Sequence, residues 1–145
     1  ISRRSLAAGI GLLAGAVAAD CPGSDDPAGP DNNDSIAGTW TLQSINGDPL
    51  PAEVDDGEFT FTVTSGNVVI NANGTFTYTE NSDLDGVDVT TGTWVATSAA
   101  NTYTFTPTPD PEEENQGHGT GVFNGNSMSL TISNSPGIVR AYQRN

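Results

Sequence analysis

The chain has 145 residues, 18 acids, four arginines, no lysine, one histidine and one cysteine, for a formal charge of -14. That length fits one domain of ordinary size. The charge leaves no basic surface to neutralise phosphates, so a nucleic-acid partner is excluded, and one Cys with one His excludes disulfide frameworks and multi-ligand zinc sites.

Residues 1–20 read as an export signal. Ile1-Ser2-Arg3-Arg4-Ser5 is basic, and residues 6–19 form an uncharged run of small and apolar side chains. Fourteen residues at 1.5 Å rise are too short to cross a ~30 Å hydrocarbon core. A basic start, a short apolar middle and a small-residue end form the pattern of a secretory signal. Ser2-Arg3-Arg4-Ser5-Leu6 resembles the opening of a twin-arginine signal. Cys21 closes the run and resembles the acylated cysteine of prokaryotic lipoproteins, although Asp20 stands where that family carries a small residue. Ala16-Val17-Ala18 also offers a cleavage site for simple secretion. The resemblance implies a membrane surface reached only through a lipid anchor on Cys21.

Residues 21–34 follow as an acidic, Pro/Gly-rich tether without a large apolar side chain. Such a segment buries too little surface to offset its ordering entropy, which predicts a self-repelling spacer.

Residues 35–145 read as an all-β domain. Apolar residues alternate with Thr or Ser: Trp40 and Leu42; Phe59, Phe61 and Val63; Phe76 and Tyr78; Tyr103 and Phe105; Met128, Leu130 and Ile132. Period two with one apolar face is the pattern of half-buried antiparallel strands. The predicted strands are 38–45, 58–64, 67–71, 75–80, 88–97, 101–107, 119–124, 127–133 and 138–144. Asn46-Gly47, Asn73-Gly74 and Asn124-Gly125 are hairpin dipeptides. Eight or nine short strands joined this way predict an up-and-down meander. Closure into a barrel would remove its exposed edges, and a two-sheet sandwich is the alternative.

Gly38-Thr39-Trp40 resembles the G-x-W signature of lipocalins. The order of motifs is similar to that of bacterial lipocalin-like domains. It runs through Asn46-Gly47-Asp48-Pro49-Leu50-Pro51, Asn73-Gly74-Thr75-Phe76-Thr77, Thr91-Gly92-Thr93-Trp94, Asn124-Gly125-Asn126 and Tyr142-Gln143-Arg144. The resemblance covers roughly residues 36–144. It implies an eight- or nine-stranded barrel and a late-chain arginine over the G-x-W tryptophan. Arg144 on Trp40 is the expected pair, with Arg140 as the substitute.

The acids cluster between strands. Glu80, Asp83, Asp85 and Asp88 surround the fourth predicted loop, and Asp110, Glu112, Glu113 and Glu114 occupy the sixth. In a meander these loops share one end, giving an acidic mouth that attracts cations; solubility alone is the other explanation of such acids. Asn81-x-Asp83-x-Asp85-Gly86 matches the first half of a calcium loop. A calcium site on Asp83, Asp85 and Asp88 therefore stands beside a plain Asp-Gly turn; no other cofactor is implied. His118 sits in a Gly-rich stretch with no nucleophile elbow, so an enzyme is not the expected class. Trp40, Phe59, Phe61, Tyr78, Trp94, Tyr103 and Phe105 either fill a barrel core or line a cavity for a small molecule, since eight-stranded barrels permit both. The expectation is an exported, lipid-anchored binding module for a small apolar or cationic ligand. The alternative is an envelope protein with a packed core and no pocket.

Overall fold

A computed structural model describes residues 36–113 and 116–145. The predicted signal, Cys21 and the tether lie outside the described residues, as does Glu114. Residues 36–145 form one compact unit. Its strands are β1 (Gly38–Ile45), β2 (Asp48–Pro49), β3 (Ala52–Asp55), β4 (Thr60–Ile70), β5 (Thr75–Ser82), β6 (Gly86–Ala96), β7 (Thr102–Pro107), β8 (Gly119–Asn124), β9 (Ser127–Ile132) and β10 (Ser135–Arg144).

Period-two alternation builds these strands directly. Phe76, Tyr78 and Glu80 on β5 are buried, while the residues between them are half-exposed. Ile138, Arg140 and Tyr142 on β10 repeat the arrangement. Thr on the outward face suits a pleated, wetted surface through its branched side chain. Asn46 and Gly47 both take positive φ, 53° and 92°, as a two-residue hairpin turn demands. Asn46 is further tied to β10, because its Oδ1 accepts from Val139 N at 2.8 Å.

Strands β4 to β10 pair in sequence order, each antiparallel to the next, and β1 pairs with both β10 and β4. These pairings close an antiparallel eight-stranded barrel from β1 and β4–β10. The short β2 and β3 extend it outside the ring, on β1 and β4 respectively. A barrel rather than a sandwich follows because closure leaves no long edge unpaired.

Two expectations about the first third are corrected. The predicted strands 58–64 and 67–71 are one 11-residue strand, β4. Its residues 60–63 pair with β3 and its residues 67–70 with β1, and its register against β5 shifts between Val63 and Ser65. Ser65-Gly66 reads as a turn in sequence but is where one strand changes partner. Gly66 is buried, and an added Cβ would sit 3.1 Å from both Leu42 Cδ2 and the Thr79 carbonyl oxygen. The predicted loop before it also contains β3, in which buried Ala52 and Val54 alternate with exposed Glu53 and Asp55.

One end of the barrel is filled by aromatic rings. Trp40 is 0 % exposed. Phe123 meets it edge-on at 5.0 Å, Tyr103 meets Phe123 at 5.2 Å, and Trp94 meets Tyr103 at 5.7 Å. Such edge-to-face pairs contribute about 0.5–1.5 kcal/mol each beyond area burial. Both indole N–H groups are satisfied: Trp40 Nε1 donates to the Ile36 carbonyl at 2.9 Å and Trp94 Nε1 to the Asn71 carbonyl at 3.0 Å. Arg144 Cζ lies 4.6 Å from the Trp40 ring centroid, and β1–β10 register sets the two residues opposite one another.

Candidate functional site

The other end is open. The β5–β6 and β7–β8 connections lie there together, because alternate connections of a meander share an end. Beneath them is a cavity of about 470 Å³, within the ~300–1,000 Å³ typical of small-molecule sites. Its apolar wall comes from Val68 on β4, Phe76 on β5, Phe105 on β7, and Met128, Leu130 and Ile132 on β9. Gly119 on β8 has no side chain, and Leu130 from the neighbouring β9 lies over it, 3.1 Å from where a Cβ would stand.

A charged cluster crosses this interior. Glu80 on β5 and Arg140 on β10 are separated around the ring by β4 and β1, yet their side chains meet. Arg140 Nε donates to Glu80 Oε2 at 2.7 Å and Nη2 donates to Oε1 at 3.1 Å. Tyr78 Oη donates to Glu80 Oε2 at 2.8 Å. Glu80 and Arg140 are only 8 % and 5 % exposed. Burial disfavours the Arg140 charge, but the hydrogen bonds to Glu80 and the charges around it together raise the guanidinium above its ordinary pKa. Burial drives the Tyr78 hydroxyl well above its ordinary value, so Tyr78 stays a donor. The planar two-point contact is the strong form of a carboxylate–guanidinium pair.

The rim is acidic. Asp85, Asp88 and Glu113 line the mouth with Gln116. Asp88 is exposed on its strand, but partial desolvation at the mouth raises its carboxyl, and the charges of Glu113, Glu80 and Asp85 raise it further. Counting Glu80, the described lining holds four carboxylates against the single guanidinium of Arg140.

The sequence-predicted cavity residues divide. Tyr78 and Phe105 line the cavity. Trp40, Trp94 and Tyr103 instead pack the filled end, since each lies on its strand nearer that end than the mouth. Phe61 packs against the core without lining the cavity. Phe59 precedes β4 and is 52 % exposed, so it lies outside the barrel. Of the proposed calcium ligands, Asp83 Oδ1 accepts from Thr62 N at 2.7 Å, which turns it to β4, while Asp85 and Asp88 face the mouth. Among the described residues no three His, Cys, Asp or Glu side chains are placed to hold a metal ion. His118 lines a shallow neighbouring groove with Asp110 and Glu113.

The sequence does not pair Glu80 with Arg140, but it carries a signal: each occupies an inward period-two position, Glu80 after Phe76 and Tyr78, Arg140 between Ile138 and Tyr142. Comparison of the chain with protein-family models, curated proteins and solved structures finds no match.

Proposed function

We propose that this barrel is a lipocalin-like, non-catalytic binding module that holds a small apolar or cationic ligand in its open-ended cavity. The cavity carries the reading: one end of the barrel is filled by aromatic rings, and the other leaves apolar walls around a single buried polar cluster. Apolar walls that hold a ligand, with fixed polar groups that orient it, are what a small-molecule site needs. We further propose that the domain is exported and held at a membrane surface by an acylated Cys21. The basic start, the short apolar run and the spacer after Cys21 support this.

Titration of the purified protein with the neutral fluorophore N-phenyl-1-naphthylamine tests the binding reading. Thr90 lines the cavity from β6, and Thr90→Trp places a strand-compatible ring in the space. The expected result is saturable uptake by the native chain and loss of uptake in the variant, with an unchanged far-ultraviolet circular dichroism spectrum. Undiminished uptake in the variant would place the probe elsewhere. Failure of any probe to bind would favour a structural envelope protein.

A further inference from the structure

The cavity is layered along the barrel axis. Its apolar wall lies deepest, around Phe76 and Met128; the Glu80–Arg140 cluster lies above it; and the carboxylates form the rim. The layers differ in how their charge is compensated. Glu80 is satisfied by Arg140 and Tyr78. At the rim Glu113 accepts from Gln116 Nε2 at 3.0 Å, but among the described residues no cation stands beside Asp85, Asp88 and Glu113. The described residues contain no lysine and two arginines, Arg140 and Arg144. Arg140 is engaged with Glu80, and Arg144 stands on Trp40 at the filled end. The single histidine, His118, lies in the adjoining groove. Like charges gathered at a mouth with low-dielectric walls favour an incoming cation and disfavour an anion.

A second observation lies inside. Arg140 is nine-tenths buried and forms part of the cavity wall. Its Nη1 is buried with no hydrogen-bond partner among the described residues, so a ligand acceptor meets it through a small shift of the side chain toward the cavity. A buried donor left without an acceptor is costly, and such groups are rare in folded proteins. A carboxylate ligand would satisfy it but must pass the acidic rim. A neutral oxygen would satisfy it without that repulsion.

We propose that the cavity selects an amphiphilic cation of the acyl-ester or acyl-amide class. Its apolar tail lies against Phe76, Phe105 and Met128, its carbonyl oxygen accepts from Arg140 Nη1, and its ammonium group sits among Asp85, Asp88 and Glu113. This rests on the reading of the cavity as a binding site and names the ligand chemistry for it.

Calorimetric titration of the full chain separates the two claims. The probes share a ten-carbon tail and are used below micelle-forming concentrations: decanoylcholine, ethyl decanoate, decyltrimethylammonium and decanoate. Decanoylcholine is expected to bind about tenfold more tightly than ethyl decanoate at low salt, the scale of a few partly screened carboxylates acting together. Decanoate is expected not to bind. Decyltrimethylammonium, which lacks a carbonyl, is expected to bind more weakly than decanoylcholine. In the Asp88→Asn/Glu113→Gln double variant, ethyl decanoate affinity should hold while the decanoylcholine advantage disappears. Equal affinity for decanoylcholine and ethyl decanoate would overturn the cation selectivity and leave the binding reading standing. An advantage surviving in the double variant would also overturn it. Equal affinity for decyltrimethylammonium and decanoylcholine would overturn the role of Arg140. Binding of none of the four would overturn the cavity reading itself.

Discussion

Replacing Arg140 by Met strands a carboxylate in the barrel. Glu80 would keep the hydroxyl of Tyr78 but lose both guanidinium bonds. Removing one partner of a buried ion pair costs about 3–5 kcal/mol, because the remaining charge stays desolvated. For a domain near this size, 1 kcal/mol shifts Tm by roughly 4–8 °C, so Arg140→Met is expected to lower Tm by at least about 12 °C. Urea or thermal unfolding followed by tryptophan fluorescence reads this out. The loss should shrink as pH falls, because a stranded buried carboxylate is relieved by taking up a proton. Replacing the whole cluster, Tyr78→Phe with Glu80→Leu and Arg140→Met, should recover most of the lost stability, since well-packed apolar groups substitute for buried ion pairs. An Arg140→Met variant within about 1 kcal/mol of the native protein, with no dependence on pH, would refute the buried pair.

Other perturbations test separate parts of the structure. Asp88→Asn should stabilise the protein at neutral pH. The folded carboxyl is raised above its ordinary 3.8 by partial desolvation and by Glu113, Glu80 and Asp85, so ionising it opposes folding; the benefit should be present above that window and vanish as pH falls below 3.8 in stability curves measured at several pH values. Arg144→Ala removes the guanidinium from the Trp40 face and should cost roughly 0.5–2 kcal/mol by urea unfolding. At Gly92 an added Cβ would overlap the Thr106 carbonyl oxygen and lie 2.7 Å from Phe76 Cε1. Gly92→Ala should therefore unfold or severely destabilise the barrel, seen as loss of the cooperative thermal transition. Cys21→Ser should move the protein from membrane to soluble fractions of the cells that make it; an unchanged membrane fraction would contradict acylation there.

Most of the strands were legible because their alternation is strict. Thr-x-Thr runs with intervening aromatics, such as Thr75-Phe76-Thr77-Tyr78-Thr79, fit one pleated face to the core and the other to water. Hairpin dipeptides set the connections, and Asn46-Gly47 takes the backbone angles its composition calls for. The continuity of β4 was hidden because Ser65-Gly66 has turn chemistry, while the register shift and the buried Gly66 are tertiary facts. β3 was hidden because four residues, two of them acids, give too short an alternation to stand out. Which aromatics fill the barrel and which line its cavity depends on height along the axis, and period two reports the face of a strand but not that height. Phe59 shows the other limit: it continues the alternation of Phe61 and Val63 but lies before the strand, where it stays half exposed. The Glu80–Arg140 pair needed the closed ring to bring β5 and β10 across from each other.

The most direct test is chemical-shift mapping of an isotopically labelled protein titrated with decanoylcholine. A ligand entering the open end should move the amides of Tyr78, Glu80, Thr90, Gly119, Leu130 and Arg140. The filled end, around Trp40, Phe123 and Arg144, should stay nearly still. Shifts confined to that end, or to the exposed outer valines Val87, Val89 and Val95 of β6, would contradict a cavity-binding barrel.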